Sequence, residues 1–156
     1  MKISSLAVLI SASLAVSTGV AHADELSANA ILGATPFAHN TYGVNTVRGR
    51  AQLEPNDEDG TLKVVVKISG LTPGTTHIGH IHNGTCASLF PGAIIQNLEP
   101  IVIDEDGEGK STTNISASLT GLRDCDWWVA VHEGAANASP QTPAVAVGPV
   151  ITERDD

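Results

Sequence analysis

The sequence predicts an all-β chain, an antiparallel Greek-key sandwich or flattened barrel of about seven or eight short strands. Three observations carry that expectation. Leu62, Val64, Val66 and Ile68 alternate with Lys63, Val65 and Lys67, and a period of two leaves no room for a helix. Similar runs recur between clusters of Gly, Pro and Asp, the residues that turn a chain. No 10-residue window carries a helical pattern of apolar residues. With only five aromatic residues, the core must be built from Val, Ile, Leu and Ala, with Trp127 and Trp128 as large packing units.

Taken in order, residues 26–34 carry a weak strand pattern. Thr35 to Asn45, with Pro36, Gly43 and no periodicity, reads as a loop containing His39. Val47, Gly49, Ala51 and Leu53 alternate with Arg48, Arg50 and Gln52, the mark of a half-buried strand. A turn over residues 54–60 leads into the strand Thr61 to Ser69, which Gly70-Leu71-Thr72-Pro73-Gly74 ends. A histidine-rich segment follows directly. Beyond Cys86 the chain is loop-like through Pro91-Gly92, with strand fragments near Ile94-Ile95 and over Ile101 to Ile103. Asp104 to Gly109 is a marked turn, and Ser111 to Leu119 alternates with Thr113, Ile115, Ala117 and Leu119 on one side. In the strand Trp127 to His132, Trp128, Ala130 and His132 share a face. Glu133 to Pro143 is a loop, and Ala144 to Ile151 the last strand.

Met1-Lys2-Ile3, the apolar and small-residue run Leu6 to Val20, and Ala21-His22-Ala23 are the three parts of a secretory signal peptide. Residues 1–23 are therefore expected to be removed, leaving residues 24–156 as a single β-sandwich domain in the periplasm or outside the cell, free of the membrane. In that oxidising setting Cys86 and Cys125 are expected to form a disulfide. The competing expectation makes Cys86 a metal ligand beside the histidines. The net charge of −9 argues against nucleic acid and anionic membrane surfaces, and the eight Lys and Arg are scattered along the chain with no basic cluster. The runs Asp57-Glu58-Asp59 and Asp104-Glu105-Asp106 read as solvated turns. Calcium at Asp104, Asp106 and Glu108 is the alternative, although the spacing does not complete an EF-hand loop.

The segment His77-Ile78-Gly79-His80-Ile81-His82-Asn83-Gly84-Thr85-Cys86 holds three of the chain's six histidines. In a strand His80 and His82 point one way and His77 the other. Two imidazoles on one face can share a metal ion, and imidazole suits Zn, Cu, Fe or Ni. The plain alternative is a set of hydrogen-bonded or solvated histidines. His132 closes the later strand just where a loop begins, a place where side chains from distant segments converge. His80, His82 and His132 are thus candidates for one three-histidine site, with His39 from the early loop, water, or a supporting group that moves in as a fourth ligand, if there is one.

At these residues the chain resembles the copper/zinc superoxide dismutases. Gly70-Leu71-Thr72-Pro73-Gly74, His77-x-x-His80-x-His82 and Cys86 are similar to the strand and loop that carry two copper ligands and one disulfide cysteine in that family. Val129-Ala130-Val131-His132-Glu133-Gly134 is similar to its later strand, which carries another copper histidine. The resemblance, over roughly residues 46–151, implies a superoxide dismutase-like fold, copper at His80, His82 and His132, and a supporting hydrogen-bonding role for His77. The family's zinc loop has no counterpart, since no histidine lies between Cys86 and His132; copper is expected and zinc is not. Val147 stands where the family has its second disulfide cysteine, so Cys125 would serve instead. Ala144 stands about where the family has the arginine that attracts superoxide. His80-Ile81-His82-Asn83-Gly84 and Trp128-Val129-Ala130-Val131-His132 are also similar to chordin-type (CHRD) domains, without their usual terminal segment. Three functions follow as expectations: a copper-dependent superoxide dismutase, a non-catalytic copper carrier or buffer, and a CHRD-type interaction module without metal.

Overall fold

The structure, a computed structural model, describes residues 26–42, 46–56, 58–88, 92–134 and 142–154. The expected signal peptide at residues 1–23 lies outside the described residues. The alternating runs become strands β1 (Leu26–Ala34), β2 (Arg48–Asn56) and β3 (Thr61–Ser69), paired antiparallel in sequence. On β3, Leu62, Val64, Val66 and Ile68 are buried, as their spacing requires. The strand ends at Gly70, whose φ of 84° is left-handed and whose added Cβ would lie 1.7 Å from the Thr46 carbonyl oxygen. Only glycine fits there.

The chain then supplies β4 (Thr76–His77), β5 (Gly79–Asn83), β6 (Ile94–Asn97), β7 (Ile101–Val102), β8 (Glu108–Ile115), β9 (Trp127–His132), β10 (Ala144–Pro149) and β11 (Ile151–Arg154). Eight strands run in the order β6-β5-β9-β10-β1-β2-β3-β8, with β11 also on β1 and β4-β7 as a separate ribbon. β5 leaves β3 for the other half of the sheet, β8 returns beside β3 and β9 lies beside β5, so the chain crosses between the two halves three times, in Greek-key fashion. The sheet curls into a nearly closed barrel. Between its ends, the Glu99 N–H donates to Thr113 Oγ1 at 2.8 Å and Ile103 bridges Gly109. Inside lie Leu32, Leu53, Leu62, Val64, Ile81, Ile101, Val129 and Val131, the aliphatic core that the scarcity of aromatics demands.

Three elements differ from the sequence expectation. The early loop contains a short helix, α1 (Pro36–Tyr42). Thr35 caps it, its Oγ1 accepting the Ala38 N–H at 3.3 Å, and proline stands at the first helical position. The Tyr42 hydroxyl donates to the Glu133 carboxylate at 2.6 Å, tying α1 to the loop after β9; burial and Glu133 hold its proton well above the ordinary range. Second, β8 begins at Glu108 and stops at Ile115, although Leu119 stays buried and Ala117 packs on the core beyond the ladder. Third, the last strand divides at Val150, whose carbonyl accepts the Cys125 N–H and whose N–H donates to the Trp127 carbonyl, both at 2.8 Å. Those two bonds take Val150 out of the ladder.

Candidate metal centre

Strand parity builds the site. β5 and β9 pair antiparallel, with Ile81 opposite Val129, His80 opposite Ala130 and His82 opposite Trp128. Ile81, Val129 and Val131 enter the core, so His80, His82 and His132 lie on the outer face of the barrel. They are nevertheless only 6%, 7% and 5% exposed. Gly92 and Thr142, each two residues ahead of the strand that follows, contribute a backbone carbonyl to the site.

Two irregularities aim the rings at one another. The β5–β6 register shifts at His82, and the β9–β10 register shifts beside His132, where Ala144 pairs His132 but Ala146 pairs Val131. Such bulges re-aim the side chains next to them. The ring centroids lie 4.9 Å apart for His80 and His132, and 5.8 Å for each of the other two pairs. One ring nitrogen from each histidine falls within 4.8 Å of the other two.

The hydrogen bonds decide which nitrogens are free. His82 Nδ1 lies 2.9 Å from the Gly92 carbonyl, and His132 Nδ1 lies 2.8 Å from the Thr142 carbonyl. A carbonyl only accepts, so each Nδ1 carries the proton and each Nε2 keeps its lone pair. Those two Nε2 atoms and His80 Nδ1 are buried without a hydrogen-bond partner. Among the described residues five buried side-chain polar atoms are unpartnered, and a fourth, Trp128 Nε1, lies on the residue opposite His82. The polar frustration of the fold is therefore concentrated here. Burial, followed by the charges that His132 and His82 would carry, lowers the His80 pKa from 6.5 to about 4. Burial also lowers that of His132, partly offset by its bond to Thr142. Neutral imidazoles with unpartnered ring nitrogens are what a metal ion requires, and the three histidines fit one.

His77, fully buried, is not one of the three grouped histidines. Its Nδ1 donates to the His132 carbonyl at 2.8 Å and its Nε2 lies 2.9 Å from Thr75 Oγ1. It thus holds the main chain of His132, while Thr142 holds the ring. His39 sits half-buried on α1 and is not one of the three grouped residues, so the expected fourth ligand is not brought to the site. Cys86 and Cys125 stand at bonding distance, 2.13 Å between sulfurs, which removes Cys86 from the ligand set. The Asp104 carboxylate accepts the backbone N–H groups of Asp106 at 3.0 Å and Glu108 at 2.9 Å, closing the turn itself. Calcium has no site among the described residues there.

Neither protein-family models nor curated proteins produce a match to this chain. The three histidines stand out in the sequence, whereas the parts that orient them, the carbonyls of Gly92 and Thr142 and the two bulges, do not. Backbone carbonyls leave no residue-type signature. Gly84 offered more of a signal, since an added Cβ there would lie 2.3 Å from Trp128 Cδ1, the close approach that a glycine after a strand can mark.

Proposed function

We propose that this chain is an exported copper-binding protein of superoxide dismutase-like fold, with His80 Nδ1, His82 Nε2 and His132 Nε2 as the ligands. The observation that carries the proposal is three buried imidazoles that each offer a ring nitrogen within 4.8 Å of the others, and that each have a buried ring nitrogen without a hydrogen-bond partner. A metal-free CHRD-type module would leave all three unpaired, at about 1–3 kcal/mol each. An all-imidazole set without carboxylate or thiolate suits copper in both of its common oxidation states. Copper held there supplies a one-electron couple, and superoxide is the substrate to test first. The Gly92 and Thr142 carbonyls keep two rings in the ligating tautomer, and His77 anchors the strand end beneath His132. The disulfide, with no described helix long and apolar enough to cross a membrane, supports an oxidising, exported setting.

A second reading, a non-catalytic copper carrier or buffer, is favoured by the net charge of −9, which opposes the approach of an anionic substrate. One experiment separates the two. Residues 24–156 are loaded with Cu(II), and stoichiometry, paramagnetic resonance and superoxide consumption are recorded beside His80→Ala and His132→Ala. A single copper per chain, lost in both variants, is expected. Failure to bind stoichiometric copper defeats both readings; tight copper without superoxide consumption leaves the carrier.

A further inference from the structure

The cations scattered along the sequence do not stay scattered in the fold. On the outer face of the sheet, Arg50 pairs Lys67 across β2 and β3, and Lys67 pairs Lys110 across β3 and β8. Arg48 lies two residues along β2 on the same face, so four of the chain's eight Lys and Arg occupy one patch. The expectation that no basic cluster forms is corrected here: period-two spacing and strand register bring together residues that are far apart in sequence. Neighbouring strands lie about 4.8 Å apart, and like charges directly opposite are destabilising. All four are exposed, and among the described residues none takes part in an ion pair. Arg48, Arg50 and Lys67 also line a shallow depression with Ile31 and Glu108, and Ile31, opposite Arg50, is 72% exposed. β10 and β1 separate this face from β9 and its histidine.

We propose that this face binds a linear acidic polysaccharide, a polymer bearing a carboxylate or sulfate on successive sugars. Cations on successive strands meet anions repeated along an extended chain, and the aliphatic surface of Ile31 receives the C–H face of a sugar ring. β2, β3 and β8 contain no aromatic residue, so the stacking that a single-stranded nucleic acid requires is missing. A flat anionic membrane, or a second copy of the chain, would face the whole molecule's net charge of −9, whereas a thin polymer meets only the basic row.

The test uses the full chain on immobilised polygalacturonate, with Arg50→Gln/Lys67→Gln beside Arg123→Gln/Arg154→Gln, which removes the same charge elsewhere. Retention at low ionic strength, lost near about 0.15 M salt, is expected. The first pair should weaken binding by about tenfold or more, and the second should leave it unchanged. Lys67→Gln alone should raise the thermal midpoint by relieving the opposed charges; a fall would remove the argument that the row is costly without a partner. Absence of retention by the parent chain, or equal losses in both pairs, overturns the proposal. So does equally tight binding of phosphatidylglycerol vesicles or a single-stranded oligonucleotide.

Discussion

Removing the disulfide tests how the cover of the metal centre is held. Cys86 lies in the loop after β5, three residues beyond the end of that strand, and Cys125 lies two residues before β9. The bridge therefore ties down the chain six residues before Gly92, whose carbonyl accepts from His82 Nδ1. The cysteines are 39 residues apart, so closing that loop in the unfolded chain costs about 13 cal/mol/K, or about 4 kcal/mol at 25 °C, in the chain-entropy treatment. Cys125 is 4% exposed with φ 65°, a strained left-handed conformation for a residue with a Cβ, and alanine there keeps the same strain. A Cys86→Ser/Cys125→Ala chain should lose about 3–4 kcal/mol in urea unfolding with the m-value little changed. Its thermal midpoint should fall by about 10 °C. Copper affinity should fall as well, because the loop that fixes the His82 tautomer is freed. Intact mass must first show the parent gaining two hydrogens on reduction. A bridged parent that loses less than about 1 kcal/mol refutes the entropic argument, and undiminished copper affinity refutes the role given to the loop.

Other outcomes follow from the same geometry. In the metal-free chain the unfolded state protonates its histidine near pH 6.5, whereas folded His80 resists until about 4. Stability should therefore fall as pH drops from 6.5 toward 4, with no further loss from this group below that. After allowance for solvent screening the loss is about 2 kcal/mol. His132, also lowered, adds in the same direction. Urea midpoints against pH, for the parent and His80→Gln, check this; an unchanged slope in the variant counts against it. Gly84→Ala drives a methyl group into Trp128 and should cost about 1–3 kcal/mol, together with copper affinity. Calorimetry and a copper titration would expose a silent substitution. Tyr42→Phe leaves the Glu133 carboxylate without its donor and should cost about 1 kcal/mol in chemical unfolding, where no change would mean that the α1 tether is idle. Leu62→Ala, in the fully buried core, should cost about 2–5 kcal/mol, and a smaller loss would mean that the barrel collapses around the cavity.

Much of the fold was legible because its signal is local. Thr61 to Ser69 alternates over nine residues, and the strand has those ends; Trp127 to His132 likewise matches β9. Where another element intervenes, the reading slips. Val150 is as apolar as its neighbours, but Cys125 and Trp127 claim its backbone groups, so a strand expected to run through it divides. The helix α1 did have a sequence mark, Thr35 followed by Pro36, that hydrophobic periodicity overlooks because seven residues are too few to show a period.

The sequence by itself determined the all-β class, the inward set of each long strand, the separation of His77 from His80 and His82, and the pair of cysteines able to bridge. Each of these rests on alternation along one strand or on a choice among two residues. Only the tertiary structure decided that His132 reaches the other two, which nitrogens stay unpaired, that His39 stays apart, and that four distant cations share a face. Those facts depend on register, bulges and loop carbonyls, and contacts between segments far apart in the chain leave no period for a sequence to display.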